Sequence, residues 1–192
     1  MTDILILASK SPRRKELLDL MGIPYKIIVS NADENAQEIK NPKKYALEIA
    51  RRKCNEVYNN NLNDTVISAD TIVFIKNKIL GKPANNADTK AMLTLLSGEK
   101  HFVITGVVVK NSKKEISFVE KTAVYFNKLS SEEINRYVAS GEPADKAGAY
   151  AIQGLGSVFV RRIKGDYSNV VGLPVSRLYK TLATEFNLYP NR

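Results

Sequence analysis

The chain has 192 residues, 44% of them hydrophobic and 26% charged, an ordinary balance for a globular protein long enough to bury a substantial core. Its single cysteine, Cys54, excludes an internal disulfide framework and fits a reducing compartment, so a cytoplasmic location is expected. No run approaches the roughly 20 apolar residues of a membrane span, and the apolar opening is broken by Lys10 and two arginines, unlike a secretory leader. The net charge of +9 favours an acidic ligand, either a polyphosphate or a nucleic acid, although the basic residues are spread along the chain without a polybasic tail.

The run Ile4-Leu5-Ile6-Leu7-Ala8 predicts a short buried strand. Ser11 and Pro12 suit the N-cap and first position of a helix that ends at Gly22. Tyr25 to Ser30 reads as a second strand and Asn31 to Asn41 as a polar loop. Asn41-Pro42 opens a long helix reaching Tyr58, and Thr65 to Ile75 is a β-branched strand followed by a hairpin turn at Lys76-Asn77-Lys78. After the loop Gly81-Lys82-Pro83, a helix runs to Leu96 and stops at Ser97-Gly98. Phe102 to Val109 and Glu115 to Asn127 predict two long strands. Ser130 and Glu133 form a capping box for a helix ending near Gly141. Gly148 to Gly172 is glycine-spotted and read as strand-like, and Leu173-Pro174 starts a last helix ending near Phe186. Alternating strands and helices with long hairpins predict an α/β fold, a mixed twisted sheet flanked by helices, as one domain over residues 1–192.

Several residues in this frame carry chemistry. Ser9-Lys10-Ser11-Pro12-Arg13-Arg14 places hydroxyls and guanidinium groups at a helix N-terminus, where the helix dipole favours phosphate. The competing reading is a capped helix with solvated arginines. Against it, Arg14 projects between Leu17, Leu18 and Met21, on the face that should be buried. Asp70 stands inside an apolar strand and needs a cation, a metal or hydrogen-bond donors, so a structural salt bridge is its alternative role. Lys53 lies amid the stripe Ala46, Ile49, Ala50, Cys54 and Val57, where a lysine either serves a site or snorkels outward. Lys82, between Gly81 and Pro83, offers an ammonium in a constrained loop. Asp33 and Glu34, with Asp70, could hold an octahedral Mg²⁺ or Mn²⁺. His101 has no second ligand for zinc and no triad partner, and Cys54 reads as packing. Gln153 can pair with the donor–acceptor edge of a base, or simply be solvated.

Taken together, Ala8-Ser9-x-Ser-Pro-Arg-Arg14, Ser68-Ala69-Asp70-Thr71, Gly81-Lys82-Pro83, Ser140-Gly141-Glu142-Pro143 through Gly154, and Asn169-Val170-Val171-Gly172-Leu173-Pro174 resemble the motifs of the Maf proteins. They occur in that family's order over nearly the whole chain. The resemblance implies a fold related to inosine triphosphatase, with two lobes around a central cleft. It also implies hydrolysis of a nucleoside triphosphate between the α and β phosphates with a divalent cation. It makes Asp70 the catalytic carboxylate, places Ser9, Arg14, Lys53 and Lys82 at phosphates, and gives Glu34 as a second acidic group, a metal ligand together with Asp70. At the positions that sort subgroups stand Arg13, Thr71 and Gln153, which resemble the dTTP/UTP-hydrolysing subgroup rather than the 7-methyl-GTP one.

Two further expectations follow, and one rival stands beside them. A homodimer is expected, because the Phe102–Asn127 hairpin would otherwise expose strand edges, and the resemblance points the same way. Nucleic acid is not expected as a partner, since no stacking-aromatic motif is present. The rival is a regulator of septum formation acting by nucleotide or nucleic-acid binding.

Overall fold

The computed structural model describes residues 4–36 and 38–190. Seven strands form one sheet in the order β2-β1-β3-β5-β6-β7, with β4 paired to β3, and six α-helices accompany them. By their contacts the residues separate into two compact units. One holds the residues up to Asp70, Thr105–Glu120 and those from Gly172 onward, and the other holds Thr71–Ile104 and Lys121–Val171.

In the first unit, β1 (Leu5–Leu7) is wholly buried and pairs in parallel on both sides. Leu5 faces Tyr25 of β2 (Tyr25–Ile27) and Thr65 of β3 (Thr65–Ile75). Burial on both faces explains why β1 is a continuous apolar run rather than an alternating one. The second strand was expected to reach Ser30, but it stops at Ile27 because its partner β1 ends at Leu7. Helix α1 (Pro12–Asp19) follows β1, and Gly22 takes a positive φ of 64° in the turn beyond it.

Helix α2 (Pro42–Tyr58) is capped by the Asn41 side chain, which accepts from the N–H groups of Lys43 and Lys44. Its apolar face packs with Ile6, Ala8, Val66 and Val108. The approach is close: a Cβ on Gly106 would lie 2.6 Å from backbone atoms of Ala46 and Leu47. Glycine there lets the strand meet the helix backbone directly. Helix α6 (Val175–Phe186) buries Leu178, Leu182 and Phe186 in the same unit.

In the second unit, β3 turns into β4 (Lys78–Leu80) through Lys76 and Asn77, both at positive φ, the pattern of a two-residue hairpin turn. Helix α3 (Asn86–Leu96) is capped by Asn85. Helix α4 (Ser131–Ala139) carries the expected capping box between Ser130 and Glu133. The core is aromatic, with Phe126 set edge-on to His101 and Tyr150, and Tyr137 edge-on to Phe159.

The stretch Gly148 to Gly172, expected to be strand-like, is not. Short 3-10 turns occupy Glu142–Asp145, Ala147–Ala149 and Leu155–Phe159. Only Val160–Lys164 is a strand (β7), and Tyr167–Val171 is a helix (α5). Positive φ at Gly148, Ala149, Gly154, Gly165 and Gly172 breaks any longer pairing.

The long hairpin is β5 (Lys100–Lys110) and β6 (Glu115–Phe126). On one side β3 flanks β5, and on the other β7 pairs with β6 over Ala123–Phe126. The edge strand β7 carries Arg161, Arg162 and Lys164, charges of the kind that discourage edge-to-edge pairing.

Candidate active site

Within the first unit the chain assembles Ser9, Arg14, Glu34, Lys53 and Asp70 from four separate segments. Alternation along β3 turns Ser68 and Asp70 to the same side, toward α2. The Ser68 hydroxyl donates to the Ala50 carbonyl at 2.6 Å, and Asp70 Oδ1 accepts from Lys53 Nζ at 2.8 Å. Lys53 sits on the buried face of α2, as its place in the apolar stripe requires, and it does not snorkel. Lys53 and Asp70 are only 8% and 9% exposed. The same ammonium meets Glu34 Oε1 at 3.2 Å, so two carboxylates converge on one cation.

Burial pushes the Asp70 carboxyl above its ordinary range. Lys53 and Arg14 pull it back, Glu34 opposes them, and desolvation prevails. Among the described residues no three His, Cys, Asp or Glu side chains cluster closely enough to hold a metal ion by themselves.

Glu34 reaches this point from an irregular loop tied to α2. Arg52 donates to the Asn35 carbonyl at 2.7 Å, and the Tyr45 hydroxyl donates to the Glu34 carbonyl at 3.3 Å. Burial, then the charges of Asp70 and Glu34, raises the Tyr45 phenol above its ordinary value. Asp33 does different work: its carboxylate accepts the Asn35 N–H at 2.9 Å and closes the loop's own turn.

The start of α1 gathers hydroxyl and guanidinium groups. Ser11 occupies the N-cap but its hydroxyl makes no cap bond. Instead Ser9, 8% exposed, accepts from the Ser11 N–H and from Arg14 Nη1, each at 3.2 Å. Arg14 Nε donates to the Gly172 carbonyl at 2.9 Å, which fixes the guanidinium. Burial lowers the Arg14 pKa below the usual arginine range, Asp70 counters this, and neighbouring Arg13 adds repulsion. A half-buried arginine beside a second arginine at a helix start is a strong site for a phosphate.

The other sequence-derived site residues stand in the second unit. Thr71 follows Asp70 along β3 and is half-buried on the opposite face. Lys82 is exposed in the loop between β4 and α3, where the Gly81 carbonyl accepts the Gly148 N–H at 2.9 Å. Gln153 is exposed before the last 3-10 turn.

His101, also in the second unit, is fully buried, with Nε2 2.8 Å from the Tyr150 hydroxyl. Desolvation drives its pKa from 6.5 down to about 3, which makes it a neutral core residue. Burial pushes the Cys54 thiol up to about 12, so it is inert packing in the first unit.

Sequence reasoning missed Tyr45, and it held Ser68 and Gly172 only as motif positions, without their contacts to Ala50 and Arg14. Period-two spacing from Asp70 could have flagged Ser68, but no local signal links residues 14 and 172.

The chain belongs to the Maf family, whose family model, described as Maf-like protein, matches residues 4–185. Among its relatives, a Bacillus cereus (strain AH820) protein is 51% identical over 184 residues, 96% of both chains. A Bacillus thuringiensis subsp. konkukian (strain 97-27) protein matches equally. A Bacillus mycoides (strain KBAB4) protein is 50% identical over 178 residues, 93% of each chain. All three are named dTTP/UTP pyrophosphatase.

Proposed function

We propose that this chain is a nucleoside triphosphate pyrophosphatase that hydrolyses dTTP and UTP to the monophosphate and pyrophosphate. The observation that carries the reading is the buried Lys53–Asp70 pair set in one unit with the Ser9–Arg14 anion cradle. The relatives' names supply the substrate. Water attacks the α-phosphorus, the bond to the bridging oxygen breaks, and pyrophosphate leaves with the electron pair. Asp70 orients that water or takes its proton, and its raised pKa makes it a better base than an ordinary carboxylate. Arg14, held by Ser9 and Gly172, neutralises phosphate oxygens, and Lys53 and Lys82 add charge against the leaving group. Arg13, Thr71 and Gln153 select the base.

Asp70 and Glu34 would hold Mg²⁺ or Mn²⁺. Two carboxylates already converging on one cation form the oxygen-only donor set such ions take together with substrate phosphates. When bound, the ion supplies further positive charge to the triphosphate.

The decisive experiment offers UTP, dTTP, GTP, ATP and 7-methyl-GTP with Mg²⁺ or Mn²⁺ and resolves the products by ion-exchange chromatography. UMP or dTMP with pyrophosphate is expected, lost in Asp70→Asn. Release of inorganic phosphate alone would overturn the pyrophosphatase reading. Preference for 7-methyl-GTP would overturn the substrate.

A further inference from the structure

Glu142, in the second unit, has no place in the chemistry above, yet its carboxylate accepts three hydrogen bonds. Oε1 accepts from the Tyr137 hydroxyl at 2.8 Å and from the Gly156 N–H at 3.0 Å, and Oε2 accepts from the Leu155 N–H at 2.9 Å. Burial works against its charge, but the three donors win and hold its pKa below the ordinary value. The Tyr137 oxygen in turn accepts the Ala151 N–H at 3.1 Å. Residues on both sides of Gln153 are therefore tied to one Tyr–Glu pair, Tyr137 in the last turn of α4 and Glu142 in the 3-10 turn after it.

The intervening glycines are shaped to this clamp. A Cβ on Gly154, already at φ 125°, would lie 2.6 Å from Glu142 Oε2. A Cβ on Gly156 would lie 2.7 Å from both the Ala151 carbonyl and the Tyr137 hydroxyl. The backbone of this loop thus follows a path only glycine permits, against a carboxylate only a fixed acid satisfies.

We infer that Glu142, through Tyr137 and the 151–156 backbone, is the positioning residue that presents Gln153 and so sets the preference for pyrimidine over purine triphosphates. The inference rests on the assignment of Gln153 to base selection. Its chemistry is specific. A glutamine at 142 could still accept from Tyr137 and Gly156 through its carbonyl, but its NH₂ would face the Leu155 N–H, donor against donor. Aspartate keeps the charge on a shorter arm.

The test measures kcat and KM for UTP and GTP in the parent, Glu142→Gln, Glu142→Asp, Gln153→Ala and the double variant Glu142→Gln/Gln153→Ala. Tyr137→Phe, which removes one hydroxyl, probes the other end of the clamp. Amide hydrogen exchange at Leu155 and Gly156 reports the clamp without any nucleotide. E142Q should lower the UTP-to-GTP ratio of kcat/KM by about tenfold, mainly through a higher KM for UTP, with partial recovery in E142D and faster exchange at both amides. In the Gln153→Ala background the same change should leave the ratio where Gln153→Ala alone puts it. An unchanged ratio in E142Q and Tyr137→Phe, or an equal loss with and without Gln153, would overturn the inference. If Gln153→Ala itself leaves the parent ratio intact, the base-selecting assignment fails, and the failure is then read from that variant rather than from Glu142.

Discussion

Replacing Lys53 with methionine keeps an unbranched side chain on the buried face of α2 but removes the ammonium that Asp70 and Glu34 share. Glu34 can turn to solvent, since its side chain is half exposed, whereas Asp70 cannot. Asp70 keeps only the attraction of Arg14, and its burial already outweighs both cations in the intact protein. Breaking a buried pair from one side costs about 3–5 kcal/mol. Protonation sets a ceiling on that loss. An unfolded aspartate titrates near 3.8, so at about 1.36 kcal/mol per pH unit the penalty cannot exceed about 4 kcal/mol at pH 7 or about 1.6 kcal/mol at pH 5.

The sign follows from the direction of the shift. A carboxyl raised in the folded state makes folding weaker as pH climbs through that window, and losing Lys53 widens the window. Urea unfolding of the parent and Lys53→Met at the two pH values should show a loss of stability that shrinks by more than half at pH 5. Adding Asp70→Asn to Lys53→Met should restore most of the loss at pH 7 while leaving the protein inactive. A loss of equal size at both pH values, or no restoration by Asp70→Asn, would refute the view that an uncompensated buried charge is what Lys53 prevents.

Other expectations can be checked with the same tools. Because the His101 pKa falls from 6.5 to about 3 on burial, stability should drop as pH falls below 6.5, by about 2 kcal/mol at pH 5. His101→Gln should lose that slope, and parallel urea curves for parent and variant would contradict it. Gly106→Ala drives a Cβ into the Ala46 backbone and should cost about 1–3 kcal/mol in urea unfolding. Lys82→Ala, at an exposed loop position, should leave stability within about 0.5 kcal/mol. It should nonetheless lower kcat/KM for UTP about a hundredfold, which a coupled pyrophosphate assay would measure.

Much of the fold is legible because its signals are local. The buried β1 run, Asn41-Pro42 before α2, the β-branched β3 with its Lys76-Asn77 turn and the Ser130–Glu133 box each act within one turn of chain. The Lys53 position on the α2 stripe and the Asp70 position in β3 also follow from simple periods, so the two halves of the buried pair could be read separately before their contact was known. Residues 142–159 could not be read this way. Their backbone is set by acceptors beyond the reach of a local turn, the Glu142 carboxylate, the Tyr137 hydroxyl and the Gly81 carbonyl, and glycine leaves every path open until such partners close it. The end of β2 was misjudged for a related reason, since strand length there is decided by the partner and not by the strand's own residues.

The hydrogen bond from Arg14 to the Gly172 carbonyl has a consequence for biosynthesis. The Arg14 guanidinium and its carbonyl anchor are separated by 158 residues of sequence. During translation the strand, the helix and the buried pair can all be made well before that anchor emerges. The bond from Arg14 to Ser9 can form early, and the bond to Gly172 only after that residue has been made. A chain still lacking Gly172 would already carry the Lys53–Asp70 pair but leave Arg14 short of that one bond, so the order of synthesis separates the two halves of this cluster.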